Sequence, residues 1–348
     1  MVAVQLLAHG GTEQLFYNQA TPMPTMGAGD VLIKVLAAGI NNTDINTRIG
    51  WYASELKAST AETLNTELTT RAGDWAGAGL KFPLIQGADV CGIIMGVGSE
   101  ISASRIGQRV IVQSCLRSLR RGDFTPWLGS EHDGAFAQFV AAPSADTYAV
   151  NSTLSDVELG AVPCAFATAE NLINRAGVQK GERVLITGAS GNVGIAAIQL
   201  AKRRGAFVCA IAAPSKFEAL HAVGADECLV RGQPIGPARF DVVIDVVGGP
   251  QWAETLDGLK PRGRYAVSGA IAGPVVELDL RKLYLKDLTL YGCTTQDDDV
   301  FKNLVGYLER GEIKPVVAAQ FPLSQIVAAQ AAFLAKSHVG KIVLIPPR

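Results

Sequence analysis

The stretch that most constrains this chain is Thr187-Gly188-Ala189-Ser190-Gly191-Asn192-Val193-Gly194. It is entered from an apolar run, Arg183-Val184-Leu185-Ile186-Thr187, which reads as a buried strand. It opens a helical pattern from Asn192 to Arg204, which Gly205 stops, and a second apolar run from Ala206 to Ile211 follows at once. Strand, glycine turn, helix and strand in that order predict a parallel pair, because parallel neighbours need a crossover and the helix supplies it. The alternation continues with a helix from Ser215 to Val223 ended by Gly224, then strands at Phe240–Val246, Tyr265–Ser268 and Leu288–Tyr291. Apolar strands separated by helices of this length predict an α/β, doubly wound parallel sheet covered on both faces.

Residues 1–150 carry a different pattern. Val31–Leu36 and Arg109–Val112 read as short strands between glycine and proline turns, and the N-terminal ten residues read as a first strand, which predicts a β-rich domain. The stretch from Trp51 to Phe82 interrupts it. Leu56, Leu64 and Leu68 fall near helical spacing there, and the segment reads equally as a surface excursion or as a lid. After Thr295 the elements are mixed again. Phe301, Leu304, Val305 and Leu308 share a helical face between Asp297–Asp299 and Gly311, and Lys341–Ile345 is a closing strand. A chain of 348 residues is long enough for two domains.

Composition removes several function classes. The net charge of −1 lacks the basic excess of a nucleic-acid binder. No apolar run reaches the roughly 18–20 residues of a membrane span, and the N-terminus lacks the pattern of a signal peptide. Six scattered cysteines without a C-x-x-C pair point to a reducing, cytoplasmic setting rather than to a disulfide framework.

The glycine loop carries the chemistry. Gly191 lets backbone approach a pyrophosphate, Gly194 lets helix and strand pack closely, and the helix N-terminus offers unpaired N–H groups. Ala189 stands where the usual fingerprint has its first glycine, so the motif is A-x-G-x-x-G, and Ala189, Ser190, Gly191, Asn192, Val193 and Gly194 are the expected dinucleotide contacts. An NAD site places an acid about 20 residues on. Here the corresponding stretch, Cys209 to Lys216, holds none, and Ser215 and Lys216 offer a hydrogen bond and a charge. NADPH is therefore expected over NADH. Val247, Ser268 and Gly269, at carboxyl ends of strands, are further candidate cofactor contacts.

Four motifs along the chain then show a resemblance. They are Gly39-Ile40-Asn41-Asn42-Thr43-Asp44, Gln86-Gly87-Ala88-Asp89-Val90-Cys91-Gly92, Asp133-Gly134-Ala135-Phe136-Ala137-Gln138, and the A-x-G-x-x-G loop. Their order, with the closing Val339-Gly340-Lys341-Ile342-Val343-Leu344, resembles the medium-chain dehydrogenases/reductases over essentially the whole chain. The resemblance implies a GroES-like catalytic domain from residues 1–152 and 297–348, with a Rossmann NADP-binding domain of residues 153–296 inserted. It implies a substrate cleft at their junction, and Thr168 as a residue near the nicotinamide.

Zinc members of that family carry cysteine, histidine and cysteine where this chain has Asn41, Ala88 and Cys164. Catalytic zinc takes three protein ligands, so the resemblance is to the zinc-free branch, with no metal expected. Relatives in that branch reduce quinones and α,β-unsaturated carbonyls. Their N-x-x-D-x-Y-x-R-x-G pattern is matched here at Asn41, Asp44, Arg48 and Gly50, with Asn46 in the tyrosine place. Asn41 and Asn46 are expected as amide donors to a substrate oxygen, and Tyr52 as an aromatic wall or proton donor. For Asp44 and Arg48 a structural salt bridge is as well supported as catalysis. The family further implies a homodimer joined at the edge of the Rossmann sheet and a small-molecule substrate. Two other readings stay open: a metal-free carbonyl reductase or alcohol dehydrogenase of the same fold, and a catalytically silent NADPH-binding protein.

Overall fold

Burial in the strand Asp30–Gly39 follows the two-residue period of a pleated sheet: Val31, Ile33, Val35 and Ala37 point inward while Leu32, Lys34 and Leu36 stay partly exposed. The strand organises the first of two units in a computed structural model that describes residues 1–64 and 79–348. This unit takes in Met1–Leu56, the described part of Thr66–Cys164, and Phe301–Arg348. Asp30–Gly39 pairs antiparallel with Cys91–Val97, with Phe139–Pro143 and, at its carboxyl end, with Lys341–Ile345. The sheet continues through Arg109–Val112 to Thr147–Ala149 on one side and, by a parallel pairing, to Val317–Pro322 on the other. Ala3–Leu6 lies between Leu15–Asn18 and Leu84–Ile85 in a smaller antiparallel sheet.

The second unit holds Ala165–Val300 with the described part of Lys57–Asn65. Its sheet is six-stranded and parallel, in the order Glu227–Val230, Phe207–Ala212, Arg183–Ile186, Phe240–Asp245, Leu259–Val267, Thr289–Gly292. Chain order along the sheet reverses between Arg183–Ile186 and Phe240–Asp245, the switch point at which open α/β sheets bind ligands. Leu185, Cys209, Phe240, Val243, Leu259 and Tyr265 form one buried cluster, each large apolar side chain contributing about 1.5–3 kcal/mol. The helix Asn192–Arg203 buries Ile195, Ile198 and Leu200, and Gly205, at φ +78°, reverses the chain into the next strand.

The expected α/β architecture is therefore present, with the first strand limited to Ala3–Leu6, the expected Ser215–Val223 helix divided into a turn at Pro214–Lys216 and a helix at Phe217–Ala222, and the strand expected at Tyr265–Ser268 beginning at Leu259. Between Trp51 and Phe82 a short helix runs from Thr60 to Leu64, and Leu68 lies outside the described residues. No described helix is long and apolar enough to cross a membrane.

Candidate functional site

In the parallel-sheet unit, the strand Arg183–Ile186 leads into Gly188, at φ +57°, where a Cβ would come within 3.0 Å of Val247. Gly191 precedes the helix, whose first internal hydrogen bond runs from Ile195 N–H to the Gly191 carbonyl. The amides of Asn192, Val193 and Gly194 thus have no intrahelical acceptor and carry the positive end of the dipole. A Cβ on Gly194 would sit 2.5 Å from Ala189 Cα and from the Gly188 carbonyl, so this glycine closes the helix onto the turn. A Cβ on Gly191 would meet nothing nearer than the Gly188 carbonyl at 3.4 Å, which leaves an open backbone face. A glycine face beside free helix-start amides fits a dinucleotide pyrophosphate.

Lys216 donates to Ser190 Oγ at 3.3 Å, so it leans back over the loop. Burial, and then the nearby Arg231, hold its ammonium below the usual lysine range. Ser215 is exposed and caps neither the short turn Pro214–Lys216 nor the helix Phe217–Ala222. Thr168 is half-buried on the helix Pro163–Arg175.

One residue that the sequence reading missed organises the strand ends. The buried Asp245 carboxylate accepts from Thr187 Oγ1, from Tyr265 Oη, from Val247 N–H at 2.8 Å and from Gly248 N–H at 3.1 Å. Ser268 N–H donates to the Asp245 carbonyl at 3.1 Å. Val247 and Ser268 are thereby fixed beside the glycine loop's strand. The available signal was an acid closing the apolar strand Phe240–Asp245.

In the β-rich unit, Asn41 precedes the helix Asn42–Arg48 and its N–H donates to Asp44 Oδ2 at 2.7 Å, an N-terminal cap. The Asn41 side chain joins a buried network. Its Oδ1 accepts from Lys341 Nζ at 2.6 Å, and its Nδ2 donates to Asp89 Oδ2 at 2.9 Å and more weakly to the Gly39 carbonyl at 3.4 Å. Lys341 Nζ is 2.5 Å from Asp89 Oδ2, and Asp89 Oδ1 accepts from the Cys164 amide at 2.6 Å. Lys341 is 1% exposed and Asp89 0%. These contacts engage the Asn41 amide within the network.

Burial and two neighbouring carboxylates change the protons here. The Asp44 carboxyl is pushed up to about 7, by burial first and also by Asp89. The Cys164 thiol is pushed up to about 12, mainly by burial, and keeps its proton at neutral pH. Tyr52, hydrogen-bonded to Asn46, is held above the ordinary phenol range by burial. Arg48 turns from Asp44, donating to Gln330 Oε1 at 3.1 Å and to the Gly10 carbonyl at 2.8 Å. The Asp44–Arg48 ion pair suggested by the spacing is not made.

This donor set does not fit catalytic zinc. Asn41 and Ala88 offer no thiolate or imidazole beside Cys164, and an ammonium already lies against Asp89. Among the described residues no cluster of three histidine, cysteine or acidic side chains has the geometry to hold a metal.

Comparison with known proteins agrees with both units. The alcohol dehydrogenase GroES-like domain model matches residues 27–152, and a zinc-binding dehydrogenase model matches residues 221–344. The crystal structure of a candidate alcohol dehydrogenase from Sinorhizobium meliloti 1021 superposes with a TM-score of 0.91 at 41% identity, covering 100% of this chain and 97% of that one. Acryloyl-coenzyme A reductase of Metallosphaera sedula is 28% identical over 96% of this chain and 97% of its own length. The quinone oxidoreductase of Rattus norvegicus is 26% identical over 99% and 98%. The chain belongs to the medium-chain dehydrogenase/reductase superfamily. It is an oxidoreductase of that superfamily, with a GroES-like domain and a Rossmann sheet of the kind that takes a nicotinamide cofactor.

Proposed function

We propose that this chain is an NADPH-dependent reductase of quinones or α,β-unsaturated carbonyl compounds that works without zinc. The observation that carries the reading is the Asn41–Asp89–Lys341 network, which puts a buried ammonium among residues in the place of a zinc ligand set. Oxidising a simple alcohol without a metal leaves nothing to lower the hydroxyl pKa. Reducing a conjugated carbonyl asks the protein only for hydrogen bonds and a proton at the oxygen where charge builds.

The cofactor, when bound, supplies a hydride. Ala189, Ser190, Gly191, Asn192, Val193 and Gly194 would hold its pyrophosphate, with Val247, Ser268, Gly269 and Thr168 toward the nicotinamide. Lys216 and Ser215 favour a 2′-phosphate, because no acid stands between Cys209 and Lys216 to repel it. Tyr52 and Asn46 are the donors we assign to the substrate oxygen. The Tyr52 hydroxyl keeps its proton at neutral pH and Asn46 orients it. Asn41 takes a positioning role, holding the start of the helix that carries Asn46.

The division into a catalytic domain of residues 1–152 and 297–348 and a cofactor domain of residues 153–296 belongs to this reading. So does a cytoplasmic setting, supported by six free cysteines. A homodimer is supported by the edge position of Thr289–Gly292 and the exposed Leu280, Tyr284 and Leu285 just before it. The likeness to a candidate alcohol dehydrogenase favours a second reading, a metal-free carbonyl reductase.

The test is NADPH oxidation across quinones, enones, enoyl thioesters and saturated aldehydes. Turnover of conjugated substrates alone is expected. Turnover of saturated aldehydes at comparable rates would move the assignment to the second reading. Silence across the panel despite tight NADPH binding would overturn both in favour of a binding role.

A further inference from the structure

The helix Asn42–Arg48 carries Asn46, and the turn after it carries Tyr52, the donors of the proposed reaction. A helix of seven residues is too short to hold its place by its own hydrogen bonds. Asn41 caps its start, and its other end is clamped from outside. His9 Nδ1 donates to the Thr47 carbonyl at 2.9 Å, and Gly10 N–H donates to the Arg48 carbonyl at 2.9 Å. Arg48 Nη1 donates in return to the Gly10 carbonyl at 2.8 Å, and its Nε donates to Gln330 Oε1 at 3.1 Å. Gln330 is fully buried on the helix Ile326–Leu334. The turn that follows Arg48 is fixed from the same helix. Gly50, at φ +63°, donates its N–H to the Thr47 carbonyl at 3.2 Å, and Trp51 N–H donates to the Asn46 carbonyl at 2.8 Å. The Trp51 and Tyr52 rings meet edge to face at 5.5 Å. A shift of the helix end therefore moves Asn46 and Tyr52 together.

Packing alone does not account for an arginine here. Arg48 is 1% exposed, and among the described residues no carboxylate pairs with it. Glu13, whose charge bears on it, accepts instead from Gly11 N–H at 2.8 Å. A buried guanidinium without an acid gives up its hydration with no full charge to replace it, so an apolar side chain of similar length would fill the site with less desolvation. What the guanidinium adds is direction. Its rigid planar fork fixes the Gly10 carbonyl and the Gln330 amide at a set angle to the end of the helix.

We propose that Arg48 is a positioning residue for the reaction, acting through Asn46 and Tyr52 rather than by touching the substrate. The inference rests on the reading of those two residues as donors to the substrate oxygen. Displacing a reacting group by about 1 Å can lower a rate about a hundredfold, so a clamp on the helix that carries the donors bears directly on turnover. The cofactor loop lies in the other unit and makes none of these contacts, so cofactor affinity is independent of the clamp.

The test is a double-substitution cycle in the full-length protein: Arg48→Met, Tyr52→Phe and the two together. NADPH oxidation is read with para-benzoquinone and methyl vinyl ketone, and NADPH affinity by fluorescence. Arg48→Met is expected to lower kcat about ten- to a hundredfold while the NADPH Kd stays within about twofold. In the Tyr52→Phe background the same substitution should have an effect at least about threefold smaller, because one group that it positions is already gone. Arg48→Lys, which reaches one acceptor at a time, should recover part of kcat. Gln330→Met frees one arm of the fork and leaves the Gly10 pair. It should show the same pattern at smaller size, and it decides the matter where Arg48→Met does not fold. Equal losses in the two backgrounds, or a loss of stability with kcat intact, overturn the inference. Tyr52→Phe with wild-type kcat, or no turnover of either probe by the wild-type protein, sinks the donor reading and this inference with it. Both of those results appear with Arg48 intact, so the two failures are separable.

Discussion

Replacing Lys341 by methionine tests the buried network most directly. Methionine keeps an unbranched stem of similar length, so the packing over Gly39 survives. That packing is tight, since a Cβ on Gly39 would lie 2.1 Å from Lys341 Cε and 2.6 Å from Asp89 Oδ2. What is removed is the charge. Asp89, at 0% exposure, is left with the Asn41 amide and the Cys164 N–H as donors and with no cation. Breaking a buried ion pair from one side costs about 3–5 kcal/mol, because the remaining charge is stranded away from water. The assay is the urea midpoint of the transition assigned to the β-rich unit, followed with more than one probe because a two-unit chain need not unfold in one step. Adding Asp89→Asn to Lys341→Met removes the stranded charge while an amide oxygen still accepts from Cys164 N–H. The double variant is therefore expected to regain part of the loss. A single variant within about 1 kcal/mol of wild type, or a double variant less stable than the single, refutes the reasoning.

Two further substitutions separate the cofactor loop's packing from its binding face. Gly194→Ala places a Cβ 2.5 Å from backbone atoms and is expected to lower the unfolding midpoint, at about 1–3 kcal/mol. Gly191→Ala, at φ −80° and with its Cβ no nearer than 3.4 Å to the Gly188 carbonyl, should leave stability within about 0.5 kcal/mol while weakening NADPH roughly tenfold; equal stability losses in both variants would refute the distinction. At Asp44, a carboxyl raised to about 7 in the folded chain binds its proton more tightly than the unfolded chain does. Its contribution is present below about pH 4 and is lost as pH rises through about 7, so Asp44→Asn should flatten the stability decline between those values, and urea midpoints that keep the wild-type slope would refute this.

Legibility in the sequence followed the range of the interactions. The glycine loop was readable because strand, turn and helix are adjacent in the chain, each with its own period and stop signal. The Asn41 network was not, because its contacts join positions 48, 75 and 300 residues apart. Each member looked ordinary by itself: an asparagine before a helix, an acid in a glycine-rich turn, a lysine opening an apolar strand. Lys341 at the start of Lys341–Ile345 gave a faint signal, since a lysine there reads first as solvated. The expected Asp44–Arg48 pair failed for a related reason. Spacing four apart allows such a contact, but Arg48 ends a short helix where the Gly10 carbonyl and Gln330 compete for its donors.

Charge balance in the β-rich unit also bears on which substrates suit the proposed donors. Asp44 and Asp89 are both buried, and the ammonium of Lys341 is matched by Asp89. Asp44 meets the remaining imbalance by keeping its proton until near neutrality, and Cys164 stays a thiol. Arg48, also buried, is spent on an amide and a carbonyl oxygen. A ligand bringing a permanent negative charge to this network would meet a cation already satisfied and two carboxyl groups. A neutral substrate whose charge develops only during reaction, on an oxygen that neutral donors such as Tyr52 and Asn46 can reach, incurs no such repulsion while it binds. Conjugated carbonyls and quinones have that property and free carboxylates lack it, so unsaturated acids should be turned over far less well than the corresponding ketones, aldehydes or thioesters.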